Sequence, residues 1–329
     1  MRAKQLSGFL ERAIRSKRRV LIKGRPGIGK SDLVAQACAA LGADMVLMHP
    51  AISDPTDYKG MPALNGDGTA HFVPFGELVR LCRATRPTVA FLDDIGQASP
   101  AVQAALMQLV LARGVNGTKL SPEVVFVGAT NETGQLAGVS GMIEPLKSRW
   151  DTIVELEVST EDWSDWANGT GMPVELVAFI RSFPQALSEF KPTKEIRNSP
   201  SPRGWASVGG WMNDGVKALE VWAGAVGEGR AAEFWAWLDL YGSLPSLDSI
   251  IADPVNAIVP DKPSALYAVA TGLGRKANVS NLDRVMRYLG RMPKEFEILT
   301  MRDALRVDKK ILLCPAGVAW AARNAEVMS

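Results

Sequence analysis

The segment Gly24-Arg-Pro-Gly-Ile-Gly-Lys30-Ser31 constrains the fold more than any other part of the chain. It has the spacing G-x-x-x-x-G-K-[ST]. A short apolar run, Arg19-Val-Leu-Ile-Lys23, leads into it and stops at Gly24. From Ser31 to Leu41, the residues Leu33, Val34, Ala37 and Leu41 recur at helical spacing. Strand, Gly-rich turn and helix in that order are what this motif needs. Gly24, Gly27 and Gly29 let the backbone curl, so that successive N–H groups point at an anion. The helix starting near Lys30 adds its positive end. Lys30 is placed to reach β- and γ-phosphates, and the Ser31 hydroxyl to ligate Mg²⁺. The residues assigned to a bound nucleotide are Gly24, Pro26, Gly27, Ile28, Gly29, Lys30, Ser31 and Asp32. The bland alternative is an ordinary Gly-rich strand-to-helix turn.

The rest of the first half keeps the alternation. Residues 3–16 read as a helix through Leu6, Phe9, Leu10 and Ile14. Met45–Met48 reads as a strand, Phe75–Thr85 as a helix and Thr88–Leu92 as a buried strand. A helix is expected from Pro100 to about Arg113, proline suiting a first turn. Val124–Val127 is another buried strand, and Ile153–Glu157 a weaker one. Such alternation predicts a parallel sheet with helices on both faces. After about residue 158 only helices are expected, at 163–166, 174–183, 216–225, 230–241, 264–273, 282–291, 296–305 and 315–324. Residues 191–203 and 243–263 read as loops by their Pro and Ser content. The expected division is 1–157 α/β, 158–242 a helical lid and 243–329 a helical extension.

Composition sets outer limits. A chain of 329 residues suggests about two domains. Its 47% apolar and 22% charged residues argue against disorder, collagen or a coiled coil. Lys+Arg 37 against Asp+Glu 35 gives a net charge of +2, too small for a surface wholly devoted to nucleic acid. Cys38, Cys82 and Cys314 are too few and scattered for a disulfide framework or zinc site, which points to a reducing compartment such as the cytoplasm. Charges at Glu11, Arg12 and Arg15 break any signal-like apolar core near Met1. No stretch reaches the roughly 18 apolar residues of a membrane span.

Two further positions carry chemistry. Asp93 and Asp94 end the apolar run Thr88–Leu92. A carboxylate there is costly unless it meets a cation or water. Asp93 is expected to hold Mg²⁺ through the ion's waters, and Asp94 to polarise the attacking water. The bland reading of Asp94 is a turn residue before Gly96. Asn131 follows the strand in Gly128-Ala-Thr-Asn131, where a polar side chain can hold the nucleophilic water. Alone, it too would read as a turn residue.

In this order the motifs resemble Walker A (Gly24–Ser31), Walker B (Thr88–Asp94) and sensor 1 (Gly128–Asn131) of the AAA+ ATPases. Within them the chain resembles the MoxR branch. The stretches are Asp54-Pro-Thr-Asp-Tyr-Lys-Gly60, Gln97-Ala-Ser-Pro-Ala-Val-Gln-Ala-Ala-Leu106, Leu146-Lys-Ser-Arg-Trp150 and Ser201-Pro-Arg-Gly-Trp205. The third is similar to the branch's arginine-finger segment, which gives Arg149 that role. The fourth is similar to its sensor-2 segment, which gives Arg203 that role. The likeness covers about residues 15–210. The family's usual Walker B pair is Asp-Glu; Asp94 replaces the Glu, a departure that bears on hydrolysis rate and not on nucleotide binding. The resemblance implies an AAA+ P-loop fold, an ATPase using Mg²⁺ and ATP, and a homo-oligomeric, hexameric ring with Arg149 acting on the neighbour's nucleotide. It also implies a protein partner carrying a von Willebrand factor A domain, and a chaperone-like, remodelling role. The rival expectations are a nucleotide-gated scaffold with little hydrolysis and a DNA-handling ATPase.

Other features have plainer readings. Trp222, Trp235 and Trp237 sit among apolar residues and read as helical core. His49 and His71 lack a third ligand at metal spacing. Arg15-Ser-Lys-Arg-Arg19 reads as a solvated helix end that could touch the adenine side or a neighbour, and Lys147 as a surface charge or an aid to Arg149. Residues 63–73 read as a hairpin with a Gly-rich turn. Its tip lacks the aromatic-hydrophobic residues with which many unfolding motors grip a chain.

Overall fold

The computed structural model describes residues 1–131, 141–191, 195–242 and 244–324, with the side chains of Val115 and Leu240 excepted. Part of the expected 191–203 loop, residues 192–194, and the first residue of the 243–263 loop lie outside the described residues. The chain divides into two compact units, Met1–Ser159 with Lys191–Glu195, and Thr160–Phe190 with Ile196–Ser329.

Among the described residues the first unit has nine strands: β1 Val20–Lys23, β2 Asp44–Met48, β3 Met61–Leu64, β4 Ala70–Val73, β5 Thr88–Leu92, β6 Gly114–Val115, β7 Thr118–Lys119, β8 Val124–Thr130 and β9 Thr152–Glu155. Its helices are α1 Ala3–Arg15, α2 Lys30–Leu41, α3 Pro55–Lys59, α4 Gly76–Cys82, α5 Pro100–Ala112 and α6 Glu144–Lys147. Five strands form one parallel sheet in the order β2-β5-β8-β1-β9. The expected parallel sheet is therefore present, with β9 at its edge.

Side chains alternate between the two faces. Ala90, Leu92, Val124 and Phe126 pack in one core with Leu106 and Leu109 of α5. Val89, Phe91, Val125 and Val127 pack in the other with Leu6 and Leu10 of α1 and Val34 of α2. Because both faces are covered, β5 and β8 are apolar without interruption. β8 runs three residues past Val127. Gly128 is needed inside it, since a Cβ there would lie 2.7 Å from the Trp150 indole.

The hairpin is β3 and β4, paired from Met61↔Val73 to Leu64↔Ala70. Its turn is polar, with Asn65 Nδ2 donating to Thr69 Oγ1 at 2.7 Å. The basic run is not simply solvated: Lys17 pairs with Glu123 at 3.0 Å, and Arg19 with Asp151 at 2.7 Å. These pairs staple the end of α1 to the starts of β8 and β9.

The second unit is helical: α7 Thr160–Gly169, α8 Val174–Ser182, α9 Pro202–Asn213, α10 Leu219–Val226, α11 Glu228–Gly242, α12 Leu247–Ala252, α13 Pro263–Lys276, α14 Leu282–Leu289, α15 Lys294–Val307 and α16 Pro315–Arg323. α12 corrects the expectation that 243–263 is all loop. Ser246 caps this helix by accepting from the Ser249 N–H at 3.1 Å, a start signal in the sequence hidden among prolines. Trp222 and Trp237 lie in an aromatic core, as expected, together with Trp205 and Phe234. Trp235, however, is 37% exposed. Arg181 of α8 is buried and donates to Asp303 Oδ1 of α15 at 2.9 Å and to Thr271 Oγ1 of α13 at 3.0 Å. Removing either partner of such a pair would leave an uncompensated buried charge, which is strongly destabilising. No helix is long and apolar enough to cross a membrane among the described residues.

Candidate active site

The site lies at the C-terminal ends of β1, β8 and β5, three neighbouring strands of the parallel sheet. Crevices at such strand ends are where open α/β sheets bind ligands. Each strand contributes one piece of the motif set.

The loop after β1 is tightly curled. Gly27 and Gly29 have φ of 74° and 93°, values that side chains resist. A Cβ on Gly24 would lie 2.7 Å from Ile28 Cδ1 and 3.1 Å from the Leu156 carbonyl. Ile28 is itself buried, so its side chain anchors the loop while its main chain lines the curl. Gly29 caps α2, and Asp32 sits exposed in the first turn, where a carboxylate suits the helix dipole.

Lys30 is 7% exposed. Its Nζ donates to the Gly24 carbonyl at 2.8 Å, the Arg25 carbonyl at 3.0 Å and Asn131 Oδ1 at 2.8 Å. The amide of Asn131 faces both ways, because its Nδ2 donates to Asp94 Oδ1 at 3.0 Å. Ser31 Oγ donates to Asp93 Oδ2 at 2.7 Å, and Asp93 Oδ1 accepts from the Asp94 N–H at 3.0 Å. The structure thus brings together Lys30, Ser31, Asp93, Asp94 and Asn131, residues up to 101 positions apart.

Asp94 has φ 52° and ψ 35°, the left-handed region. Asp tolerates it better than most residues, and such backbone clusters at functional sites. Its carboxyl is pushed above the usual range, first by burial and then by the charge of Asp93. Lys30, the bond from Asn131 and the charge of His49 oppose the rise. A folded-state pKa above the unfolded one means stability is lost as pH rises through that interval. The ionised carboxylate is therefore a burden on the fold at neutral pH. Asp94→Asn is expected to raise the ligand-free melting temperature at pH 7, an advantage that fades as the pH falls through the raised pKa toward the ordinary aspartate range. A thermal melt series from pH 4 to 8 checks this, and an unchanged or lower melting temperature at pH 7 goes against it.

A hydroxyl and a carboxylate side by side are the hard oxygen donors that Mg²⁺ takes, with waters and phosphate oxygens completing its shell. Ser31 and Asp93 fit that ion. A curled main chain around a buried ammonium fits a polyphosphate.

Arg149 follows α6 and precedes the edge strand β9. Trp150 beside it is buried in the core. Arg149 Nε is buried with no hydrogen-bond partner among the described residues. Lys147 pairs with Glu144 at 2.9 Å. Arg203 belongs to the second unit, exposed in the first turn of α9, where Ser201 caps the helix by accepting from the Gly204 N–H at 3.1 Å. Sequence reasoning missed Gln103, buried on α5 and bonded to three main-chain groups. Its only signal was a carboxamide on an apolar helix face.

A family model, the AAA domain (dynein-related subfamily), matches residues 19–150. Over these residues the chain resembles that family and has the P-loop AAA+ fold. The match takes in the phosphate loop, Asp93, Asp94, Asn131 and Arg149 together. The chain is 28% identical over 142 residues to the Holliday junction branch migration complex subunit RuvB of Saccharopolyspora erythraea. That alignment covers 42% of this chain and 35% of the relative, so the chain spans about a third of the length of the curated protein it matches. Among solved structures, the Thermotoga maritima RuvB Holliday junction branch migration motor aligns with 88% of this chain and 86% of that one, at 19% identity and a TM-score of 0.41. NtrX from Brucella abortus aligns with 99% of this chain and 64% of that one, at 16% identity and a TM-score of 0.37. Neither likeness bears on what this chain acts upon.

Proposed function

We propose that this chain is a MoxR-type AAA+ ATPase that hydrolyses Mg·ATP in a hexameric ring and uses the resulting rearrangements to remodel or activate a partner protein. The observation that carries the ATPase half is the bonded cluster at the strand ends, Ser31–Asp93 and Lys30–Asn131–Asp94. Lys30 would neutralise the β- and γ-phosphates. Ser31 and Asp93 would hold the magnesium ion, which supplies charge neutralisation on the phosphate oxygens. Asp94 would accept hydrogen-bonding from the attacking water, and Asn131 would orient that water. Arg149 would reach the neighbour's γ-phosphate, and Arg203 would act in cis from the helical unit. The MoxR assignment, the ring and a partner with a von Willebrand factor A domain are supported by the segments at 54–60, 97–106, 146–150 and 201–205.

The name of the RuvB relative favours a second reading, a DNA-handling motor. The two part on salt. A DNA motor neutralises phosphates, so its affinity for duplex or branched DNA falls steeply and log-linearly with salt. The remodelling reading expects no such binding and no stimulation of ATP turnover by DNA. Tight, salt-steep DNA binding with stimulated turnover would overturn it. A scaffold that merely binds ATP is tested by Asp94→Asn, which should spare ATP binding and abolish turnover. A variant as active as the parent would remove Asp94 from the chemistry and favour the scaffold.

A further inference from the structure

Gln103 is 0% exposed, on an α5 face otherwise made of Val102, Ala105, Leu106 and Leu109. A buried carboxamide is costly unless its groups are bonded, and Leu or Met would fill such a position without that requirement. Here Nε2 donates to the Ala98 carbonyl at 3.0 Å and to the Gly141 carbonyl at 3.0 Å, while Oε1 accepts from the Ile143 N–H at 2.8 Å.

The bonds join two functional segments. Ala98 closes the short 3₁₀ turn Ile95–Gln97, which starts at Asp94. Gly141 and Ile143 lie on the approach to α6, with Ile143 as its N-cap residue, and Arg149 follows directly. The four-residue α6 is too short to fix its own orientation. The Arg149 main-chain N–H donates to the Leu146 carbonyl at 3.1 Å, while its side-chain Nε finds no partner among the described residues. Its placement therefore depends on the main chain that delivers it. On the upstream side, Gln103 is a fixed point of that main chain, and it is tied equally to the acidic turn.

We propose that Gln103 is a positioning residue that couples the Asp94 turn of one subunit's site to the placement of Arg149, which serves the neighbour's site. The proposal rests on the reading of Arg149 as acting in trans. A planar amide bonded at both ends passes a shift of the Ala98 carbonyl to residues 141–143, and an apolar side chain does not. A misplacement of about 1 Å at a catalytic group costs on the order of 10²-fold in rate.

The test is Gln103→Leu, of similar size and without the three bonds. The ATP-induced rise in melting temperature and KM should stay at parental values, while kcat falls roughly 10- to 100-fold. The double variant should be no slower than Arg149→Ala alone, because Gln103→Leu acts only through that arginine. Rings mixed from Gln103→Leu and Lys30→Ala subunits should regain activity, since the second still offers a correctly held Arg149. A parallel mixture of Arg149→Ala with Lys30→Ala separates the two levels. If that control recovers and the Gln103 mixture does not, Gln103 serves only its own site and this proposal falls alone. If the control fails as well, action in trans falls and takes the proposal with it. Gln103→Met carries the same reading should the Leu variant not fold. Loss of folding in both, or losses that add to Arg149→Ala, assigns Gln103 to the core and overturns the coupling.

Discussion

Lys30→Ala is expected to erase most of the stabilisation that ATP confers. At about 100 times its dissociation constant, a ligand that binds only the folded state adds roughly 2.7 kcal/mol. Lys30 is the residue expected to carry that effect because its ammonium is buried within the curled loop. Two main-chain carbonyls of the loop and Asn131 fix it in place, and it is almost fully buried. Ala leaves the curl intact, since Gly27 and Gly29 set it, and removes the side-chain cation held there. The measurement is melting temperature with and without ATP, read beside the ligand-free melt to show that the variant folds. A full-sized ATP shift in a folded Lys30→Ala protein would refute the phosphate-loop assignment. Lys30→Arg should not restore the parent, because a fork of five donors does not fit three acceptors arranged around a point charge.

Much of this was readable from the sequence, for identifiable reasons. The phosphate loop was legible because its glycines have a backbone job that few other residues can do. The buried strands were legible because a sheet covered on both faces erases alternation, leaving runs such as Thr88–Leu92. Asp93, Asp94 and Asn131 were legible because each is polar at the end of such a run. What stayed hidden depends on distance along the chain. The partners of Lys17 and Arg19 are more than a hundred residues away, so the run read as solvated. α12 was masked by the prolines on either side of it. The left-handed backbone of Asp94 has no sequence signal, because Asp is common in turns. Gln103 looked like any helix residue, since its acceptor Gly141 and donor Ile143 lie beyond a stretch no local pattern connects to it.

Arg149→Ala is the variant expected to cost most in turnover. An arginine brought to the γ-phosphate stabilises charge that develops in the transition state more than charge present in bound ATP. Its loss should leave ATP affinity nearly unchanged and lower kcat by roughly 10³-fold or more. The position suits such a role, because Arg149 lies between a short helix and the edge strand β9, and its neighbour Trp150 is locked into the core. Its buried Nε has no hydrogen-bond partner among the described residues. A residue that merely supported the fold would lower ATP binding and melting temperature along with turnover. Whether it acts on its own site or a neighbour's is decided by mixing. An Arg149→Ala subunit keeps a working phosphate loop, and a Lys30→Ala subunit keeps a working Arg149. In a closed head-to-tail ring some interfaces of the mixture pair one good loop with one good arginine. Activity should therefore return in part when two inactive proteins are combined. Absence of recovery in rings shown to be mixed, or full turnover by a protein that stays monomeric with ATP, would place the arginine's effect within its own subunit.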